Sequence, residues 1–457
     1  MTLRDYWLNP RKYMEITRLA VPLLLSNAGL VFMQFADAMF LAKHSPDAIA
    51  ASGMGGMVSW MVSSLFVGIV GYTSVITANN IGAHQEDKVG CVNWQGIYLA
   101  LMAGVLTVLL GFLTAPFFRL VGHAPEIQAL ESEYLRVLLF GNVVFFVQAS
   151  LGGYFSGRGD NVRLMAAQMS GQALNVVLDY ALIFGKWGLP EMGVTGAALA
   201  TVLSGLLPIA IMLAYFLRRD ARERYHTHHW RLHWGLMARL LRFGVASGIQ
   251  MWIDAALWTL FLVIIGRLGT VELAATSIAF RLNSLAFMPI IGLARGMGTL
   301  AGQRHGAREF QEVVAYICHC LVMSEIWMIS IAATYALLPE WYFRMFSADG
   351  SRGTVDFAEV LATGKTLLRF VAVYCLGDAC NIALSIGLHS VGDTRWTSIM
   401  MSIVTLILVA VLLYAGYAHW GLYPIWTAAT VFILALPPIW IFRLRQGNWK
   451  AIRVATD

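Results

Sequence analysis

Residues 31–42 read VFMQFADAMFLA. They close a longer apolar run over 16–42. A run of that length crosses a bilayer, because about 20 apolar residues span the hydrocarbon core. Asp37 stands inside it with no Lys or Arg within five residues on either side. An aspartate at the centre of a lipid-facing helix costs roughly 2.5–3.5 kcal/mol on insertion scales. What keeps an acid there has to be found elsewhere in the chain.

The chain has 457 residues, is 58% hydrophobic and only 13% charged, where a soluble domain averages about 25% charged. Apolar runs of twenty residues and more recur along its length. These features identify an all-α, polytopic integral membrane protein. The net charge of +6 does not point to nucleic acid, since the basic residues lie in short segments between apolar runs, where the positive-inside rule expects them. Five cysteines form no CxxC pair and sit in or beside apolar runs, so they read as small core residues. The opening MTLRDYWLNPRK is polar and leads into a full-length span, so no cleavable signal peptide is expected.

Twelve spans are predicted, over 15–42, 48–80, 89–119, 129–155, 162–185, 193–217, 236–266, 271–301, 311–338, 360–388, 396–418 and 421–443. The basic segments are Arg4, Arg11 and Lys12, then RRDARERYHTHHWRLHW (218–234) with five arginines and four histidines, then Arg443, Arg445, Lys450 and Arg453. An even number of spans puts all three on one side, and the positive-inside rule makes it the cytoplasm. The acidic link SADGSRGTVDFAEV (347–360) then falls outside. The location expected is the plasma (inner) membrane with both termini cytoplasmic.

The two halves of the chain resemble each other. FSGRGDNVR (155–163) recurs as LHSVGDTRW (388–396), and NNIGAHQED (79–87) recurs as GQRHGAREF (302–310). The division expected is an N-lobe over 1–217, a basic cytoplasmic linker over 218–235 and a C-lobe over 236–457. Each lobe has six helices, and a parallel repeat relates the two with pseudo-two-fold symmetry. Transporters that work by alternating access often take this form.

Asp37, Asp179, Asp254 and Asp378 all fall inside predicted spans, with Glu325 a fifth candidate. The plain structural reading of each is an ion pair with an arginine or a cap on a helix break. The pattern favours function. In NVVLDY, Asn175 and Asp179 are four apart and share a helix face, and Thr201 follows on the sixth span. Carboxylates, an amide oxygen and a hydroxyl are hard ligands, suited to a proton or a sodium ion and not to a soft metal. Desolvation and like charge both disfavour having two such acids ionised together, so the pair can hold a proton. In the second half, VAVYCLGDACN places Tyr374 one turn before Asp378 and Asn381 one turn after it. Arg281 and Arg295 also fall within a span, and Arg281 is a candidate partner for one of the carboxylates. No Walker A loop, GxSxG or HExxH is present, so the chain is not expected to be an enzyme or to carry a cofactor.

These residues resemble the multidrug and toxic compound extrusion (MATE) family over 14–445. The most specific block is NVVLDYALIFGKWGLPEMGVTGAALAT (175–201) after YFSGRGDN (154–161), and FGVASGIQMWID (243–254) and HSVGDT (389–394) are similar to the family's second-half segments. The resemblance implies a twelve-helix, two-lobe antiporter, acting as a monomer, that exports small organic cations against inflow of H+ or Na+. It places an N-lobe cation site at Asp37, Asn175, Asp179, the carbonyl of Ala197 and Thr201. A Na+ ion would sit at Asp37, Asn175, Asp179 and Thr201. It places a C-lobe site at Asp254, Tyr374 and Asp378. Many relatives carry Glu where this chain has Asp254. The alternative within the wider superfamily is a flippase for a lipid-linked or anionic precursor, which Arg281 and Arg295 would serve. A receptor or ion channel would need a sensor domain or a filter-like loop, and neither is evident.

Overall fold

The computed structural model describes residues 9–121, 125–345 and 357–455. Arg4 and most of the acidic outer link lie outside these residues. Every regular element among the described residues is helical. In chain order the helices are α1 (Pro10–His44), α2 (Pro46–Gly71), α3 (Thr73–Gly82), α4 (Val89–Gly111), α5 (Thr114–Val121), α6 (Pro125–Gly157), α7 (Asn161–Ile183), α8 (Gly193–Ser204) and α9 (Leu206–Phe216). They continue with α10 (Arg219–Tyr225), α11 (Trp234–Gly266), α12 (Thr270–Gly306), α13 (Phe310–Leu337), α14 (Pro339–Arg344), α15 (Phe357–Ser390), α16 (Thr394–Tyr417) and α17 (Leu422–Gln446).

Three of the twelve expected spans are broken helices, among them the third, which is α4 and α5 parted at Phe112 and Leu113. The second is α2 and α3, parted at Tyr72. The sixth is α8 and α9, parted at Gly205. Pro208 explains the break in the sixth, since it has no N–H for the Ser204 carbonyl four residues earlier. At the break, the Gly205 carbonyl accepts from Gln148 Nε2 at 2.9 Å.

Eleven segments among the described residues are long and apolar enough to cross a membrane. The one expected span not among them is the fifth, α7. Its 23 residues reach about 34 Å at 1.5 Å per residue, ample for a bilayer. It fails on polarity, carrying Arg163, Gln168, Gln172, Asn175 and Asp179. A helix that polar is tolerated only where its polar face is turned to protein. Asn175 and Asp179 are indeed fully buried.

The repeat is visible in backbone detail. Gly159 and Gly392 both adopt a left-handed conformation, at φ 76° and 86°. The next residue in each loop donates its N–H back to the chain: Asp160 to the Phe155 carbonyl at 2.9 Å, and Asp393 to Leu388 at 3.0 Å. At the other matched loop, His84 and Arg308 both have positive φ, 57° and 61°. The acids of the first pair of loops find different cations. Asp160 pairs with Arg163 at 2.6 Å, whereas Asp393 is gripped by Arg443, with bonds of 2.6 and 3.1 Å.

The chain divides into two compact units. One comprises residues 21–252, 302–308 and 453–457, and the other 1–20, 253–301 and 309–452. The boundary in α1 lies beside Pro22, which cannot bond the Arg18 carbonyl and so weakens the helix there. In the first unit, α4 and α6 pack closely because glycines admit them. A Cβ on Gly104 would meet Val143, and one on Gly111 would meet Phe140. In the second unit the core is aromatic, with Phe261, Phe280 and Trp426 in mutual ring contact. There too Lys12 pairs with Glu312 at 2.7 Å and the Tyr316 hydroxyl donates to Glu15, fixing the first turns of α1 against α13.

Candidate functional site

Asp37 on α1 and Asp179 on α7 meet, although 141 residues lie between them in the chain. Asn175 reaches both carboxyl groups, which makes them close neighbours. Two acids so placed favour holding a proton or a cation over both being ionised and empty. Asn175, one turn before Asp179, lies alongside both. With its amide nitrogen turned inward, Asn175 donates to Asp37 Oδ1 at 3.0 Å and to Asp179 Oδ2 at 3.1 Å. In the opposite orientation it makes only a 3.5 Å contact with Thr201 Oγ1, so hydrogen bonding selects the inward nitrogen. Thr201 on α8 donates its hydroxyl to the Ala197 carbonyl at 2.9 Å. Asp37, Asn175, Asp179, Ala197 and Thr201 therefore form one oxygen-rich cluster.

The other Asp179 oxygen, Oδ1, is buried and has no hydrogen-bond partner. An unpaired buried acceptor is costly, and a cation or proton on this cluster would relieve it. The donor set is all oxygen apart from the amide nitrogen, which suits H+ or Na+. Tyr134 on α6, an ordinary aromatic in its span until its neighbours are known, lies near enough for its phenol to feel the charge of both acids.

The second acidic cluster is looser. Asp254 on α11 stands one turn before Trp258, whose indole acts on its carboxylate. Asp378 on α15 accepts from Asn381 Nδ2 at 3.0 Å. The two acids interact through space without sharing a hydrogen bond. Asn381 is itself held by the indole of Trp440, which donates to its Oδ1 at 2.8 Å. Tyr374 is buried, packs on Trp426 at a ring separation of 6.3 Å, and feels the charge of Asp378. Glu325 belongs to this neighbourhood, since its Oε1 accepts the Cys380 thiol at 3.1 Å. Nothing in the sequence paired these two, because they lie on different helices.

The expected pairing of Arg281 with a carboxylate is not found. Arg281 and Arg295 are both exposed on α12, and neither makes an ion pair among the described residues. Glu325 is engaged by Cys380 and not by an arginine.

The family model MatE matches this chain twice, over residues 22–181 and 247–415. The chain belongs to the MatE family. The double match falls on the two halves that the sequence repeat relates. A "Probable multidrug resistance protein NorM" of Thermotoga maritima is 27% identical over 450 residues, covering 97% of this chain and 94% of its own length. A "Multidrug resistance protein NorM" of Burkholderia vietnamiensis is 26% identical over 391 residues, covering 84% and 83%. Among solved structures, a MOP superfamily transporter from Pyrococcus furiosus matches with a TM-score of 0.85 at 22% identity, over 96% of this chain and 97% of its own. A multidrug resistance MATE family transporter in an outward-facing conformation gives 0.84 at 22% identity, over 95% of each chain. The fold is therefore the two-lobe, twelve-helix fold of MATE transporters, and this MatE protein is a multi-span membrane transporter.

Proposed function

We propose that this MatE protein is a cation-coupled antiporter that exports small organic cations by alternating access. On this reading it sits as a monomer in the plasma membrane with both termini in the cytoplasm, and its lobes span 1–217 and 236–457. The observation that carries the reading is the contact between the Asp37 and Asp179 carboxyl groups, bridged by Asn175. A pair of adjacent acids, Asp179 buried and Asp37 half-buried, that holds one proton is poised to exchange it. Empty of its cation, the cluster carries two negative charges and attracts a cationic substrate. Loaded, it keeps only one of them and holds the substrate less tightly. The two ligands compete, and each lowers the other's affinity by the same factor. The NorM relatives, named for multidrug resistance, support substrates of varied structure. The inward amide nitrogen of Asn175 favours H+ over Na+, because it offers a donor to the acids where a sodium ion would need an oxygen.

The test uses purified protein in proteoliposomes loaded with ethidium. Dye flux driven by an imposed pH gradient is expected, with a sodium gradient alone having little effect. Flux that followed sodium would reassign the ion. Absence of flux under either gradient would overturn antiport of cations. The exposed Arg281 and Arg295 would then favour the second reading, a flippase for a lipid-linked or anionic precursor.

A further inference from the structure

A cavity of about 410 Å³ opens within the unit that holds Asp37 and Asp179. Its polar wall is His44, Glu133 and Glu191, joined by Ser45 and Thr195. His44 Nδ1 lies 3.5 Å from Glu191 Oε1. No step of the coupling reaction described above uses these residues.

Three helices run from this cavity to the buried acids. On α1, His44 stands seven residues beyond Asp37, two turns along the same face and about 10 Å away. On α8, Val194 lines the cavity, and Ala197 and Thr201 follow one and two turns later. On α6, Glu133 lines it and the next residue is Tyr134, the neighbour of both acids. Bordering the cavity, through Ala48 and Val194, is a small apolar cluster of Leu41, Ala48, Ile183, Val194 and Ala197, with Tyr134 packed against it. Along α1 the order is a polar mouth at His44, an apolar Leu41, then Asp37. The buried, unpartnered Asp179 Oδ1 lies at the inner end.

We propose that this cavity is the external access route by which the coupling cation reaches Asp37 and Asp179. Glu133, Glu191 and His44 concentrate a monovalent cation, hydronium or sodium, at the mouth. Leu41 and Val194 form the barrier it passes. The proposal rests on the cation-coupled reading and on cytoplasmic termini, which put the end of α1 on the outer side. It adds that the cation enters along α1, α6 and α8 within one unit, by a path of its own. Glu133 and Glu191 then govern how readily the cation arrives and leave the exchange itself to Asp37 and Asp179.

The test compares wild type, Glu133→Gln/Glu191→Gln and Asp37→Asn in proteoliposomes, with the external cation varied. Wild type is expected to show cation-driven flux and Asp37→Asn none. The double variant is expected to need roughly tenfold more external cation for half-maximal flux, at the low end of what a charged cleft gains by focusing. Raising the cation should restore its flux. Thr195→Cys, in a chain with its five native cysteines replaced, should react with a membrane-impermeant cationic thiol reagent added outside, and coupled flux should fall. A folded double variant with unchanged half-saturation overturns the access route while leaving antiport intact, as does a Thr195→Cys that stays unreactive from outside. Wild type without cation-driven flux overturns the coupled reading and the access route with it.

One glycine holds the mouth in shape. Gly193 has φ +52°, and a Cβ there would lie 2.6 Å from His44 Nε2. Gly193→Ala is expected to lower the melting temperature, since a left-handed backbone is unfavourable for any residue but glycine, and to push His44 aside. A thermal melt in detergent would register the loss. An unchanged melting temperature would mean that the loop relaxes.

Discussion

Asp37→Asn is expected to abolish cation-driven efflux and to leave a folded protein that still binds its organic cation. The replacement is nearly isosteric, so the packing of α1 is kept. What it removes is an ionisable group from the pair formed with Asp179. In the wild type the cluster carries one more negative charge without its cation than with it, and that difference couples the two ligands. With asparagine at 37, Asp179 remains as a single acid beside two amides. Coupling free energies of 1–3 kcal/mol correspond to about 5–150-fold shifts in affinity. The variant should lose that shift, so that titrating the cation no longer displaces bound substrate. Two measurements check this: dye efflux under a gradient, and equilibrium binding of the dye across a range of cation concentrations. A variant that kept full gradient-driven efflux would remove Asp37 from the coupling site. One that lost efflux together with all dye binding would mean that Asp37 anchors the substrate directly. The melting temperature should not fall, because replacing the half-buried Asp37 relieves like-charge repulsion on the buried Asp179.

The spans were legible in the sequence because apolar length is a local property. The expected 193–217 and 311–338 correspond to Gly193–Phe216 and Phe310–Leu337. The fifth span shows how the site distorts that signal. The residues that make α7 chemically useful, Asn175 and Asp179 among them, also lower its apolarity below that of the other spans. Asp37, Asn175 and Asp179 could be picked out because an acid in an apolar run is conspicuous and a four-residue spacing shares a face. Tyr134 and Trp258 could not, since an aromatic residue in a membrane helix is ordinary until its neighbour is known. The Glu325–Cys380 contact and the cavity at His44 depend on helices far apart in sequence. The left-handed backbone of Gly193, which lets His44 fold over the cavity mouth, has no signature beyond the glycine itself.

Gly82→Ala and Gly306→Ala should each destabilise the protein by about 3 kcal/mol, the upper end for overpacking. The two glycines occupy matched positions in the repeated loops and make reciprocal contacts. A Cβ on Gly82 would fall 1.7 Å from the Gln303 carbonyl oxygen, and one on Gly306 would fall 2.0 Å from that of Asn79. Asn79 stands three residues before Gly82, and Gln303 three before Gly306, so each repeat presents a glycine and a carbonyl to the other. His305 Nδ1 adds a buried 2.8 Å contact with Asn79 Oδ1. Both obstructions are backbone atoms of helices, which cannot swing aside as a side chain can. Gly56 on α2 is the control, because a Cβ there meets nothing within 4 Å. Gly56→Ala should be neutral or gain roughly 0.5–1 kcal/mol from helix propensity. The double variant carries the sharper test. Once one alanine has pried the seam open, the second finds room, so the pair should cost less than the two single losses combined. Full additivity in denaturant or thermal unfolding would mean that the two loops yield independently and that the seam is no shared contact.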